Sequence, residues 1–253
     1  MVPVTEAEVF ALLVADKAIA QYHGTPFQKP LRMAFEKLTG QLGKDDQYSL
    51  ENLGGKLSFR PFAPEDTDLR VFEIVTRGLT ERRGLKFSYR KPGTKAPEQR
   101  HVHPYHLMCN NNGWYLMTHD VKRGGIRTFA LVRLKEPELT GEHFVRPQGF
   151  DPEKHLKGSF GVMSGDGDYE VVIEFDAWAT DLLQGRQWHS SQKVTTLLGG
   201  GSHMQLRLSA LEEVERWILS WGAHASVIGP SELRRRVGKT ARAVAARYED
   251  AGM

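Results

Sequence analysis

The sequence has almost no cysteine: Cys109 is the single one in 253 residues. That excludes an internal disulfide framework and a zinc site built on several thiolates. It also favours a reducing compartment, so a cytoplasmic protein is expected. Cys109 stands inside an apolar strand pattern, which predicts a buried, inert thiol. No apolar run approaches the roughly 18 residues needed to cross a bilayer, and no basic-then-apolar leader opens the chain. Charge of one sign is scarce too, with a formal net of only +3, so the total says little about partners and its distribution matters more. Also missing are the Gly-x-Ser-x-Gly elbow, the Gly-x-x-x-x-Gly-Lys phosphate loop, the His-Glu-x-x-His helix and the Gly-x-Gly-x-x-Gly turn. A protein that is not an enzyme and needs no cofactor is the expectation. A hydrophobic content of 40% with 26% charged residues suits a soluble chain of about two domains.

What is present starts with helix signals. Thr5-Glu6-Ala7-Glu8 is a capping box, followed by Val9, Leu12, Leu13 and Ile19 near helical spacing. Gly24 ends that run. Pro26 and Pro30 open a second helix in which Leu31, Phe35, Leu38 and Leu42 form a stripe, and the pair reads as an αα-hairpin with ordinary core packing. Leu57 to Phe62 reads as a short strand or linker. Asp66 or Asp68 then caps a third helix carrying Leu69, Phe72, Val75 and Leu79, closed by Arg82, Arg83 and Gly84. Leu85 to Arg90 alternates as a half-buried strand should.

From Gln99 to Leu134 three β-type runs follow one another: HVHPYHLMC, GWYLMTHD and IRTFALVRL. Asn-Asn-Asn-Gly and Lys-Arg-Gly-Gly separate them, and both tolerate the positive φ of tight turns. In an uninterrupted last strand Arg127, Phe129, Leu131 and Arg133 share one face. Arginine is costly to bury unpaired, and its planar fork suits phosphate, so it faces water, an acidic partner or an anionic ligand. With Tyr89, His101, His103, Tyr105 and Trp114 nearby, the set reads as a basic, aromatic-bearing surface. Trp114 and Tyr115 point to opposite faces, so at least one belongs to the core. His101 and His103 share a face, a spacing that metal sites use. No third ligand is obvious, and no metal is expected.

Pro137 to Asp168 is rich in loop residues, with a linker over 149–168 that is expected to be mobile near Ser164 to Asp168, where Asp166 and Asp168 read as a solvated turn. Beyond it, strand, helix, two strands, helix and strand succeed one another, the β-α-β-β-α-β order of the ferredoxin-like arrangement. His189, beside Trp188 and Arg186, is read first as structural. A last helix after Pro230 holds Arg234, Arg235, Arg236, Lys239, Arg242 and Arg247. A solvated face is the plain reading of that run. Phosphate contacts by Arg234, Arg235, Lys239 and Arg242 are the functional one.

Gly113-Trp114-Tyr115-Leu116, preceded by His103-Pro104-Tyr105 and followed by Arg127-Thr128-Phe129 and Arg133-Leu134, resembles the WYL domain. Arg186 to His189, the Trp221-Gly222 turn and Val227 to Pro230 resemble the extension that often follows it. The resemblance covers nearly all of the chain. It implies an α+β protein with a helical connector and linker over 1–63, an Sm-like barrel over 64–148, and a ferredoxin-like domain over 169–253. It further implies a bacterial-type transcriptional regulator, dimeric and allosteric. Its effector would be single-stranded nucleic acid or a nucleotide bound at Arg127 and Arg133, with His101, His103, Tyr89, Tyr105 and Trp114 shaping the site. The winged helix-turn-helix that family members place ahead of the connector has no counterpart in these residues. A stand-alone protein binding RNA or partner proteins is the alternative.

Overall fold

The structure is a computed structural model that describes residues 5–19, 28–41, 68–111 and 113–249. The chain forms two compact units, 1–150 and 151–253. No described helix is long and apolar enough to cross a membrane.

The first unit begins with α1 (Glu6–Ile19) and α2 (Gln28–Thr39). The capping box is formed: the Thr5 backbone N–H donates to Glu8 Oε2 at 2.7 Å, and the Glu8 N–H returns to Thr5 Oγ1 at 3.3 Å. Those bonds satisfy donors that a helix start leaves unpaired. Val9 is buried, but no described side chain of α2 is. Leu31 and Phe35 are half-covered and Leu38 is exposed, so the expected core stripe is only partly covered. Pro26, Leu42, Asp66 and the stretch Leu57 to Phe62 lie outside the described residues.

Helix α3 (Leu69–Glu81) is capped by Asp68, whose carboxylate accepts from the Arg70 N–H. It ends with Arg82 in the left-handed region at φ 51°. Gly84, expected to close the helix, lies instead inside a strand. That strand, β1 (Arg83–Tyr89), joins β2 (Glu98–Asn110), β3 (Gly113–Asp120), β4 (Ile126–Ala130) and β5 (Leu134–His143) in one antiparallel sheet of order β4-β3-β2-β1-β5. The turn chemistry is as read, with Asn111, Gly124 and Gly125 at positive φ. β5 was hidden in sequence by Pro137 and Gly141. It survives because it is an edge strand, where a missing N–H costs no ladder bond.

The sheet is strongly bent. Phe87 on β1 and Phe129 on β4 meet with ring centroids 5.2 Å apart, although β2 and β3 separate them. In a flat sheet their backbones would stand about 14 Å apart. Phe72 and Val75 of α3 cover the concave face, where Leu85, Val102 and Leu116 are also fully buried. Each such side chain contributes about 1.5–3 kcal/mol. No ladder joins β4 to β5 among the described residues, so the sheet is not a closed barrel.

The second unit opens with a short helix, α4 (Pro152–Leu156), and continues through β6 (Tyr169–Phe175), α5 (Ala177–Leu183), β7 (Lys193–Thr196), β8 (Ser202–Leu208), α6 (Glu212–Leu219), β9 (Ala225–Gly229) and α7 (Ser231–Glu249). Its antiparallel sheet runs β7-β8-β6-β9. Val171, Ile173 and Phe175 pack with Met204, Leu206, Leu208, Val214 and Ile218. The segment expected to be mobile, Ser164 to Asp168, is pinned: Ser164 Oγ donates to the His155 carbonyl at 3.1 Å and the Gly167 N–H to the Ser209 carbonyl at 3.2 Å. The chain just ahead of it is held as well. The Glu213 carboxylate accepts from three successive backbone N–H groups, Gly161, Val162 and Met163, and the Ser209 N–H donates to the Gly158 carbonyl at 2.7 Å. Asp168 is held by Arg207, which keeps its carboxyl below the usual range. Both units are α+β.

Candidate functional site

Alternation along β2 sorts its polar side chains onto two faces. Arg100 and Val102 point into the concave core, and His101 and His103 point to the convex side. Between Pro104 and His106 the register with β3 slips by one, leaving Tyr105 as the extra residue of a bulge. The bulge also lets Pro104 sit in a central strand.

On the convex side a histidine and aromatic cluster assembles. His103 stacks on Phe144, with centroids 4.9 Å apart and planes within 6°. Tyr105 meets Phe144 at 5.7 Å, Phe150 at 5.1 Å and His119 at 6.4 Å. Burial pushes the Tyr105 phenol above its ordinary pKa, and Arg146 opposes this more weakly. Glu142 reaches the same cluster from β5. His103 Nε2 lies 2.9 Å from Glu142 Oε1, and His101 Nε2 lies 3.1 Å from Glu142 Oε2.

A second irregularity places Glu142 there. Arg83 pairs with His143 and Leu85 with Leu139, so Gly84 alone faces the three residues Thr140 to Glu142. A Cβ on Gly84 would stand 2.6 Å from Thr140 Oγ1 and 3.3 Å from His101 Nε2. Only glycine leaves room for the two flanking strands to meet across β1. Arg83 Nε donates to the Thr140 carbonyl, and the Glu142 N–H donates to Thr140 Oγ1, which fixes the bulged segment. Sequence reasoning missed Glu142. The available signal was Gly141, a lone glycine in an alternating stretch, which marks bulges.

The concave side holds a different set. The Arg100 guanidinium lies over Phe129 at 5.9 Å, Phe129 meets Tyr89 at 4.9 Å, and the Arg133 guanidinium lies over Tyr89 at 5.7 Å. Two cations therefore flank one aromatic pair. Their compensation differs. Arg100 pairs with Glu98 at 2.7 Å and Asp120 at 3.3 Å, and Asp120 also accepts the Lys122 and Arg123 N–H groups of the β3–β4 turn. Arg133 has no carboxylate partner among the described residues, and its Nε, like that of Arg100, is buried without an acceptor.

These positions correct the expected constellation. Arg133 is not on a strand, because β4 stops at Ala130 and a single 3-10 turn carries Leu131 to Arg133. Arg127 is exposed, with Nη1 donating to its neighbour's carbonyl at Ile126. It pairs with Thr118, one position off the His119 that pairs with His103, so Arg127 and the histidines belong to opposite faces. Tyr89 and Trp114 are core rather than ligand-facing. Tyr89 is buried with its hydroxyl accepting the Ala130 N–H, and Trp114 packs edge-on against Phe72 at 4.9 Å. Cys109, expected to be buried, is exposed.

In the second unit His189 is structural. Its Nδ1 accepts the Ser191 N–H, which leaves the proton on Nε2 to donate to the Lys157 carbonyl at 2.9 Å. Burial holds its pKa below the ordinary value. On α7, Arg236 is taken up by Glu215 at 2.6 Å and Glu212 at 3.5 Å. Arg234, Arg235, Lys239 and Arg242 are exposed and form no ion pair among the described residues. Arg235, Lys239 and Arg242 fall at i, i+4 and i+7, so three of the four share a stripe.

Comparison with known proteins gives the two sheets separate family matches. The WYL domain matches residues 70–139 and the WCX domain matches residues 167–245. Protein PafB of Mycobacterium leprae (strain TN) is 26% identical over 166 residues, which is 64% of this chain and 49% of PafB. The chain thus spans about half the length of that relative. Among solved structures, proteasome accessory factor B/C (PafBC) of Arthrobacter aurescens superposes with a TM-score of 0.34 at 20% identity, covering 66% of this chain and 25% of that one. A CRISPR Cas-related protein superposes at 0.46 with 11% identity, covering 73% and 52%. The chain thus carries a WYL domain match over most of its bent five-stranded sheet and a WCX domain match over its four-stranded sheet.

Proposed function

We propose that this chain is the ligand-sensing portion of a WYL-family transcriptional regulator, acting without a catalytic step. The WYL and WCX pairing supports a regulatory role. A cytoplasmic homodimer whose arrangement shifts on ligand binding, and so biases a DNA-reading domain, is the mechanism proposed. The fold reading beneath it takes the bent sheet as Sm-like in outline and the β-α-β-β-α-β unit as ferredoxin-like.

The observation that carries the ligand reading is Arg133. Its guanidinium rests on Tyr89, its Nε is buried without an acceptor, and no carboxylate neutralises it among the described residues. A half-buried guanidinium on an aromatic face with no carboxylate beside it favours an anionic acceptor from outside, met by its Nη atoms because Nε is covered. A nucleotide phosphate or the backbone of a single-stranded nucleic acid meets that demand, and Arg127 is exposed to extend the contact. His101, His103 and Tyr105, on the other face, drop out of this site. On the second unit, the α7 stripe is proposed as a separate, sequence-independent phosphate-binding face.

The test is binding of short single-stranded and double-stranded oligonucleotides at two salt concentrations. Salt-sensitive binding that prefers single strands, and that falls at least about tenfold in Arg127→Ala/Arg133→Ala, is the expected result. Binding that survives the double substitution would move the site elsewhere.

A further inference from the structure

From the convex face of the first sheet we infer a divalent transition-metal site formed by His101, His103 and Glu142. It does not rest on the nucleic-acid reading, because Arg133 lies on the other face. The three donors come from β2 and β5, which are brought together by the bulge opposite Gly84. Their ligating atoms all lie within 4.8 Å of one another, and the two histidine–carboxylate separations are 3.1 and 2.9 Å. Donors around a tetrahedral zinc ion stand about 3.3 Å apart, given metal–nitrogen and metal–oxygen bonds near 2.0–2.2 Å. Small side-chain rotations bridge the difference.

Three further observations favour a metal over a histidine–glutamate ion pair alone. His101 Nε2 is buried and lies close to Glu142 without hydrogen-bond alignment, so its proximity to the carboxylate is not explained by a hydrogen bond. The His103 ring is fixed by its stack on Phe144, and the Glu142 backbone by Thr140, so the donors are held before any ion arrives. The His101 and Glu142 side chains are 30% and 44% exposed, which leaves one side of the cluster open to solvent. Two imidazoles and one carboxylate with an open position suit zinc or ferrous iron, whereas calcium and magnesium prefer all-oxygen shells. The open position would hold water or an anionic oxygen.

The experiment is titration of the untagged chain with Zn2+ by calorimetry, and with Co2+ by visible absorption. One equivalent is expected, with affinity falling at least about tenfold both in Glu142→Gln and in His103→Ala. His143→Ala, at an exposed neighbour outside the cluster, should bind like the parent. Far-ultraviolet circular dichroism establishes that each variant is folded. Glu142→Gln also keeps the shape of the half-exposed glutamate, so its effect reads the lost ligand charge. No stoichiometric binding, or binding that either ligand substitution leaves intact, overturns the three-donor site.

Discussion

The two sheets treat their polar side chains in opposite ways. In the second unit nearly every charged group near the core closes on a protein partner: Glu213 on three backbone N–H groups, His189 on Lys157 and Ser191, Arg236 on Glu215 and Glu212. In the first unit Arg100 is neutralised in the same manner although its Nε lacks an acceptor. Among the described residues Arg133 has neither a carboxylate nor an acceptor for its Nε, and His101 Nε2 lies beside Glu142 without hydrogen-bond alignment. Polar groups buried inside proteins are satisfied in the great majority, so each exception calls for an explanation, a bound ligand, ion or water among them. Among the described residues the second unit leaves one buried donor without an acceptor, the uncharged Trp221 Nε1, and the first leaves three, of which only Arg133 has no carboxylate beside it.

The sharpest way to break that contrast is to open the closed unit. Glu213→Ala strands the N–H groups of Gly161, Val162 and Met163 and releases the loop that they anchor. A loss of about 2–3 kcal/mol is expected, because hydrogen bonds to a charged acceptor are the stronger kind and the donors stay behind. Urea unfolding followed by tryptophan fluorescence measures it, since Trp188, Trp217 and Trp221 all pack against this unit's core. A change under about 0.5 kcal/mol would show the loop to be held without Glu213.

A matched pair of arginine substitutions asks the same question across the two units. Arg236→Leu leaves the mostly covered Glu215 carboxylate without its cation, and about 1–2 kcal/mol of stability should go once solvent screening is allowed for. Arg133→Leu removes a cation that has no carboxylate to abandon. Against a cation–π contact of about 0.5–1 kcal/mol stands the relief of an unsatisfied buried donor, so stability should hold or rise by about 1 kcal/mol. Equal destabilisation by both would mean that Arg133 is as structural as Arg236. Calorimetric melting of the two variants decides it.

Much of the fold was legible because periodicity and turn chemistry agree locally. Leu85 to Tyr89 alternates, Asn111 and Gly125 sit at positive φ where hairpins need it, and Asp68 caps its helix. The candidate sites were far less legible, for three physical reasons. The 3-10 turn at Leu131–Arg133 carries no glycine or proline, so alternation carried the strand reading straight through it and set Arg133 beside Arg127. Glu142 approaches His101 only through a bulge opposite Gly84, a long-range match that neither strand announces alone. The faces of Tyr89 and Trp114 depend on how sharply the sheet bends, which follows from packing of Phe72, Phe87 and Phe129 rather than from any local pattern.

The smallest expected effect is one of pH, and it again separates the units. Burial lowers the pKa of His189, and of His155 on α4, below the ordinary imidazole value. Both groups are therefore held neutral in the folded second unit. As pH falls through about 6.5 the unfolded chain takes up protons that the folded chain refuses, so the equilibrium shifts toward unfolding. The contribution is fully present above that pH and is lost progressively below it, down through the lowered folded-state values. Protonating Nδ1 of His189 also replaces an acceptor with a donor facing the Ser191 N–H, which turns a hydrogen bond into a repulsion. His189→Asn should melt lower than the parent at pH 7.5, yet lose less on going to pH 5.5. Parallel losses in the two proteins across that range would show that the acid sensitivity of this unit resides in groups other than His189.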